Sequence, residues 1–292
     1  MKAIRILASV FLLMSIVAAR GGTLTVFDTS VGPMFLELYD KDKPETVANF
    51  IRYIRSGRFN NMFIQRWEPQ FVIQGGGYYT EALTNSTSTN YSFRTVQTFG
   101  NITNEYSVGD PYSNTYGTIA MARQQGQTNS GSSQWFLNLT NNAFLDSVDG
   151  GFTVFGKVFL GTNTLNKFYP PPAPNGIYRG STPQNPIYGT NQYGEIIYLD
   201  ALPVLSTKPD FKDLVYVNAK VVECSVQLSG PGRRVISWNS VGGITNQVQV
   251  STNLGGGWTV FRDVLGDGTI LSVTDSSPAV GSQLYRVQLL FN

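Results

Sequence analysis

FIQRWEPQFVIQGGGY, residues 63–78, is the stretch whose reading decides the fold. Two short apolar runs flank the turn Trp67-Glu68-Pro69-Gln70, and the stretch ends on three consecutive glycines. Arg66 stands just before that turn. Neighbouring side chains of a strand point to opposite sides. Val72 and Gln74 therefore share one face and Ile73 takes the other, with Phe71 at the mouth of the strand. The hairpin groups an arginine, an aromatic and a glutamine, with no acid or nucleophile in that group. Gly75 to Gly77 lack the Lys-Ser/Thr of a phosphate loop, so they read as a tight turn that needs positive φ.

Working outward, Gly22 to Phe27 and Pro33 to Leu38 alternate and read as a hairpin. Pro44 opens a helix in which Val47, Phe50, Ile51 and Ile54 recur at helical spacing up to Gly57, with Arg52 and Arg55 off the stripe. Tyr79 to Tyr116 is rich in Ser, Thr and Asn and reads as a long loop or insertion. Thr118 to Ala122 and Gln134 to Leu139 are the next strands. In the second, Trp135, Leu137 and Leu139 form a core face, whereas Gln134, Phe136 and Asn138 mix amides with an aromatic, a composition suited to a groove. A turn at Asn142 to Asp146, a strand from Phe152 to Phe159, a short helix from Thr164 and a strand at Val215 to Val222 follow. Pro170 to Asn191 is Pro-, Gly- and Asn-rich and reads as a surface loop; the alternative is a polyproline ligand or a substrate offered in cis.

These segments resemble the cyclophilin family of peptidyl-prolyl cis-trans isomerases. The resemblance rests on an arginine, a Pro-containing turn and Phe-x-x-Gln-Gly-Gly at Arg66 to Gly76. From Gly117 onward it continues with Met121-Ala122, Gln134-x-Phe136, Phe144-Leu145-Asp146 and Val154-Phe155-Gly156-Lys157-Val158, in order. It runs from about Gly22 to about Glu223 and implies a mainly β fold: a closed eight-stranded antiparallel barrel with capping helices. The resemblance implies further that Arg66 is the catalytic arginine, with Phe71 and Gln74 beside it. Phe71, Phe136 and Leu145 then wall a proline pocket, with Val72 where the family often has methionine. Ala122 and Gln134 line the groove for residues preceding proline, and Arg123, Phe144 and Phe152 stand at the same substrate-binding site. Departures from the family pattern are the lack of any histidine, with Gln65 and Phe152 at two positions where many members carry one, and Arg123 where many have asparagine. Phe144 stands where the family has a tryptophan that contacts its cyclic peptide drug, which implies weak binding of a cyclosporin-like ligand. Activity is expected to survive with altered peptide preference. Neither metal nor cofactor is implied.

The 292 residues suit two domains. Lys2 and Arg5, the apolar run Ile6 to Val17 and the small residues Val17-Ala18-Ala19 read as a secretory signal peptide, residues 1–19. The run of about twelve apolar residues falls short of the roughly twenty a membrane span needs, so no stable membrane insertion is expected after cleavage. Without Lys2 and Arg5 the 21 basic residues become 19 against 19 acidic ones, which argues against a nucleic-acid partner. Cys224 is the only cysteine, so no intramolecular disulfide can form and it reads as a small buried hydrophobe. After Ser225 short alternating strands at regular spacing predict a small β-sandwich over 226–292, following an isomerase-like domain over 22–224. Trp238 and Trp258 read as core aromatics of that module, with ligand stacking as the alternative.

The function expected is isomerisation of X-Pro bonds in unfolded exported proteins, in the periplasm or outside the cell. The alternatives are a proline-peptide binding protein without turnover, or a surface-adhesion protein acting through its C-terminal module.

Overall fold

The computed structural model describes residues 11–12, 22–81, 91–169, 176–181, 187–230, 232–240, 242–252, 257–278 and 283–290. The chain divides into two compact units, Gly22–Val221 and a second made of Val222–Asn292 with Met1–Gly21.

The first unit is a barrel. Its strands are β1 (Leu24–Thr29), β2 (Gly32–Leu38), β3 (Met62–Phe63), β4 (Arg66–Glu68), β5 (Val72–Gly75), β6 (Thr118–Met121), β7 (Trp135–Asn138), β8 (Val154–Leu160) and β9 (Tyr216–Val221). They lie in the order β4-β5-β7-β6-β8-β2-β1-β9-β3 and every pairing is antiparallel. β3 pairs with β9 and β4 with β5, yet only Ile64 and Gln65 separate β3 from β4. Those two residues hand the ladder over, because Ile64 N–H donates to Val215 O (2.9 Å) and Gln65 N–H to Gln74 O (2.9 Å). Residues 62–68 thus act as one bent strand that closes an eight-stranded barrel, the fold the family resemblance implies. Closure removes the free edge that an open sheet would present.

Inside the barrel, Phe27, Leu36, Ile73, Trp135, Leu137 and Phe155 pack with the helix α1 (Pro44–Arg55). Pro44 opens α1 and Arg52 and Arg55 close it, matching the helix dipole. The buried stripe is Val47, Phe50 and Tyr53 rather than Val47, Phe50, Ile51 and Ile54: Ile51 and Ile54 are only half-buried, because the helix rolls its polar-tipped tyrosine inward. Tyr53 keeps its hydroxyl satisfied by accepting Phe99 N–H (2.8 Å). The N-terminus of α1 is capped from a distance. The Glu105 carboxylate accepts Glu45 N–H (3.0 Å) and Thr46 N–H (2.7 Å). Lys43, almost fully buried, donates to the carbonyls of Glu105, Tyr106 and Val108, and burial lowers its pKa from the usual lysine value.

Three readings need correction. Tyr79 to Tyr116 is not simply a loop. Tyr78–Tyr79 and Arg94–Thr95 extend the barrel sheet, and Phe93 and Val96 are buried; residues 82–90 lie outside the described residues. In Pro170 to Asn191, residues 170–175 and 182–186 lie outside the described residues, but Tyr178–Arg179 and Ile187–Thr190 are strands. The latter pairs with Ile196–Leu199, and its inward residues join a small core of Phe63, Phe93, Leu202 and Leu214. The unbroken apolar run Ile196-Ile197-Tyr198-Leu199 carried that signal. Finally, Cys224 opens β10 (Cys224–Leu228) and so belongs to the second unit. It is half-buried, and loss of solvent raises its thiol pKa to about 11, well outside the range of a reactive thiolate.

The second unit also contains β11 (Arg234–Asn239), β12 (Thr245–Ser251), β13 (Thr259–Leu265), β14 (Ile270–Asp275) and β15 (Leu284–Leu290). One sheet runs β10-β11-β14, and the other contains β15-β12-β13 with the strand Phe11–Leu12 parallel to β15. The two sheets share one core of Ile236, Trp238, Val248, Tyr285 and Val287, a sandwich arrangement. Trp238 is in that core, its indole N–H donating to Asn246 Oδ1 (2.9 Å). Trp258 is not: it is half-buried beneath Arg286, whose guanidinium carbon stands 4.5 Å from the ring centre. Among the described residues no helix is long and apolar enough to cross a membrane.

Candidate active site

The register of three adjacent strands builds the site. Arg66 on β4 lies opposite Gln74 on β5, Gln74 lies opposite Phe136 on β7, and Phe136 lies opposite Ala120 on β6. Side chains on one face of such a row stand about 4.5–5.5 Å apart at Cβ, so the pairing alone sets a guanidinium, an amide and an aromatic ring in line. Behind them, Ile73 and Trp135 point into the barrel core, which makes the row rigid. The turn between β4 and β5 is tighter than the four residues Trp67 to Gln70: Trp67 and Glu68 are still in the strand, and Pro69-Gln70 turns the chain with Gln70 at φ 61°.

The row opens onto a cavity of about 220 Å³ lined by Arg66, Phe71, Val72, Gln74, Ala122, Arg123, Phe136, Leu145 and Phe152. Nine of the eleven residues singled out from the sequence are thus brought together. Val72, Phe136 and Leu145 form its buried apolar floor. Phe136 and Phe152 meet edge to face at 5.6 Å, and the Arg66 guanidinium carbon lies 6.0 Å from the Phe71 ring centre. Gln134 stands one step behind the wall, its Oε1 accepting from Gln74 Nε2 (2.8 Å). Phe144 lies outside the cavity, 58% exposed and stacked on Phe71 at 5.9 Å.

Arg123 differs from Arg66 in setting. Its side chain is 3% exposed against 41% for Arg66. Its Nη2 donates to Val148 O (2.6 Å) and Asp149 O (3.0 Å), and Phe152 covers its face at 4.2 Å. It therefore pins the 148–149 turn beside the cavity, while Arg66 carries the accessible charge.

Several supports were not singled out as site residues. Gln65 is buried. It donates through Nε2 to Gln134 Oε1 (2.7 Å) and accepts Gly77 N–H on its own Oε1 (2.8 Å). One carbonyl oxygen, that of the Gln134 side chain, therefore fixes two amides, one of them Gln74. Gly76 has the expected positive φ of 83°, whereas Gly75 is required by contact: a Cβ there would stand 2.7 Å from the Trp135 ring. Asn142 donates to Phe71 O (2.9 Å) and Asn138 Oδ1 (2.7 Å), and Asp146 accepts Asn114 N–H (2.9 Å), which anchors the short 3-10 turn carrying Leu145. Asn138 is fully buried in that network, so the Asn-x-Thr pattern beginning there is no accessible glycan acceptor. Gln134→Ala is expected to leave both glutamine amides short of an acceptor and to cost about 1–3 kcal/mol. Thermal melting should read the stability loss, and peptide isomerisation a lower kcat/KM.

The family model described as cyclophilin type peptidyl-prolyl cis-trans isomerase/CLD matches residues 24–175, just over half of the chain. The match stops short of the expected limit near Glu223, leaving Tyr178 to Val204 and the closing strand β9 beyond it. A peptidyl-prolyl cis-trans isomerase of Acinetobacter baylyi is 32% identical over 171 residues, covering 58% of this chain and 84% of its own. Peptidyl-prolyl cis-trans isomerase A of Dickeya dadantii is 35% identical over 171 residues, covering 56% and 83%. Among solved structures, a Cryptosporidium parvum cyclophilin type peptidyl-prolyl cis-trans isomerase, crystallised in the presence of the dipeptide Ala-Pro, aligns at TM-score 0.42 and 16% identity. It covers 68% of this chain and 98% of its own. Through the family match and these relatives, the chain belongs to the cyclophilin-type peptidyl-prolyl cis-trans isomerases and is an enzyme of that activity.

Proposed function

We propose that this isomerase acts on X-Pro bonds of proteins exported from the cytoplasm, with Arg66 as its electrostatic centre. The observation that carries the catalytic part is the cross-strand row Arg66, Gln74, Phe136 at the mouth of an apolar cavity. Rotation about an X-Pro bond faces a barrier of ~18–20 kcal/mol because the amide is partly a double bond. No covalent bond to a heavy atom has to form or break, so no nucleophile or general base is needed. What accelerates the step is preferential binding of the twisted amide over both planar isomers. Twisting localises a lone pair on the prolyl nitrogen. A permanently charged guanidinium that donates to that nitrogen stabilises the twisted state, and more so beside apolar walls than in water.

In this reading Val72, Phe136 and Leu145 seat the proline ring, and Phe71 and Phe152 flank it. Gln74, held by Gln134, steadies the peptide backbone. Ala122 leaves room for the residue before proline, and Arg123 shapes the rim. Phe144, exposed and stacked on Phe71, adds an apolar platform to that rim, and a cyclosporin-like ligand would find there a smaller contact than a tryptophan offers. The clients are unfolded segments containing proline, which need no fixed shape beyond the proline and its neighbours.

The export part rests on residues 1–19: a basic start, a short apolar run and a small-residue end. On that reading the pairing of Phe11–Leu12 with β15 belongs to the precursor alone. Expression in a bacterial host with intact-mass analysis of each cell fraction tests it. A periplasmic or secreted chain beginning near Arg20 is expected. A cytoplasmic chain that keeps Lys2 and Arg5 refutes export. The same preparation should accelerate the slow refolding phase of a protein limited by X-Pro isomerisation, which unaided takes roughly tens to hundreds of seconds.

A further inference from the structure

The segment from Tyr178 to Val204, beyond the residues that match the family model, reaches the strand that carries Arg66. Trp67 N–H donates to Ala201 O (2.6 Å), so this segment pairs with the backbone next to Arg66. Its Arg179 makes a second contact. Glu68 stands two residues after Arg66 on β4, on the same face, and its carboxylate is divided between two cations. Oε1 lies 3.5 Å from Arg66 Nε, and Oε2 lies 3.3 Å from Arg179 Nη2.

An acid this close to the charge that drives isomerisation is a hazard. A carboxylate and a guanidinium pair best as a bidentate fork, with both oxygens facing two parallel N–H donors. Closed in that way on Arg66, Glu68 would occupy the donors that the prolyl nitrogen requires and would neutralise them as well. Arg179 holds Oε2, and Glu68 meets Arg66 through the other oxygen, Oε1, at Nε. We infer that Arg179 is a positioning residue: it draws the Glu68 carboxylate away from Arg66 and so keeps the Arg66 fork open for the peptide. This rests on the reading that Arg66 drives the isomerisation.

The inference predicts a loss in a single variant and its recovery in a double one. Arg179→Ala frees Glu68 to close on Arg66, and kcat/KM on a proline tetrapeptide should fall about fivefold, the range of one exposed ion pair. Arg179→Ala combined with Glu68→Ala removes the competitor and should return kcat/KM to within about twofold of wild type, a recovery that a structural role for Arg179 does not give. Arg179→Lys should retain most of the activity. Added salt should narrow the gap between Arg179→Ala and wild type, because screening weakens contacts between exposed charges. Full activity in Arg179→Ala, or a double variant no better than the single one, overturns the inference. Arg66→Ala, assayed alongside on the full chain, separates the two levels. If it matches wild type, the reading of Arg66 fails; if it is inactive while Arg179→Ala is normal, only the role of Arg179 fails.

Discussion

Replacing Arg66 by alanine is expected to lower kcat/KM for X-Pro isomerisation about 100-fold or more, the usual cost of removing one preorganised donor from a transition state. The loss should come from chemistry rather than from folding. The Arg66 side chain is 41% exposed, and its ion pair with Glu68 spans 3.5 Å, so its stabilising contribution is of the order of 0–1 kcal/mol. Melting curves of the variant and the wild type should therefore nearly coincide. Arg66→Lys should recover only part of the rate, because a flexible point charge does not reproduce a planar fork of donors. A protease-coupled assay on a proline tetrapeptide reads both variants, and equal rates for Arg66→Ala and wild type would defeat the assignment of Arg66.

Trp135→Ala should have the largest effect on stability, a loss of about 3–5 kcal/mol, typical of truncating a buried large aromatic. Trp135 has no exposed surface, lies 4.7 Å from the Phe27 ring and fills the space against Gly75. It also stands between Gln134 and Phe136 on β7, so a collapse of the ring space would misalign two residues at the cavity. On thermal melting the barrel should unfold roughly 10 °C lower, given about 2–4 °C per kcal/mol for a unit of this size. Trp135→Phe should cost far less. Among the described residues the buried indole N–H has no hydrogen-bond partner, so removing it forfeits no polar contact seen there. A wild-type melting temperature in Trp135→Ala would contradict the central place given to this ring.

Much of the barrel was legible because its strands alternate. The face of Val72 and Gln74 against that of Ile73, and of Phe136 against Trp135 and Leu137, followed from a period of two, and the structure places each residue on its expected side. The ordered motifs then named the site residues. Where alternation was broken the reading failed. Phe93 and Val96 are single buried anchors within a polar stretch and give no periodic signal. The strands Tyr178–Arg179 and Ile187–Thr190 lie in a segment whose composition is that of a loop. Trp258 has the composition of a core residue yet lies beneath Arg286, because whether an aromatic ring is covered depends on the neighbouring strand.

The supports of the site were hidden for a different reason. Gln65 and Gln134 are far apart in sequence, as are Lys43 and Glu105, Asn142 and Phe71, and Glu68 and Arg179. Each is an ordinary polar residue until the fold closes. The sequence by itself determined the β class and the two faces of the strands at 71–74 and 134–139, and its ordered motifs, through the family resemblance, named residues that meet at the cavity, because strand periodicity and short motifs are local properties. Only the tertiary structure decided which amide holds which, how the bent strand 62–68 closes the barrel, and that the Glu68 carboxylate is shared between Arg66 and Arg179. Hydrogen bonds and ion pairs act over a few ångströms in space, whatever the distance along the chain.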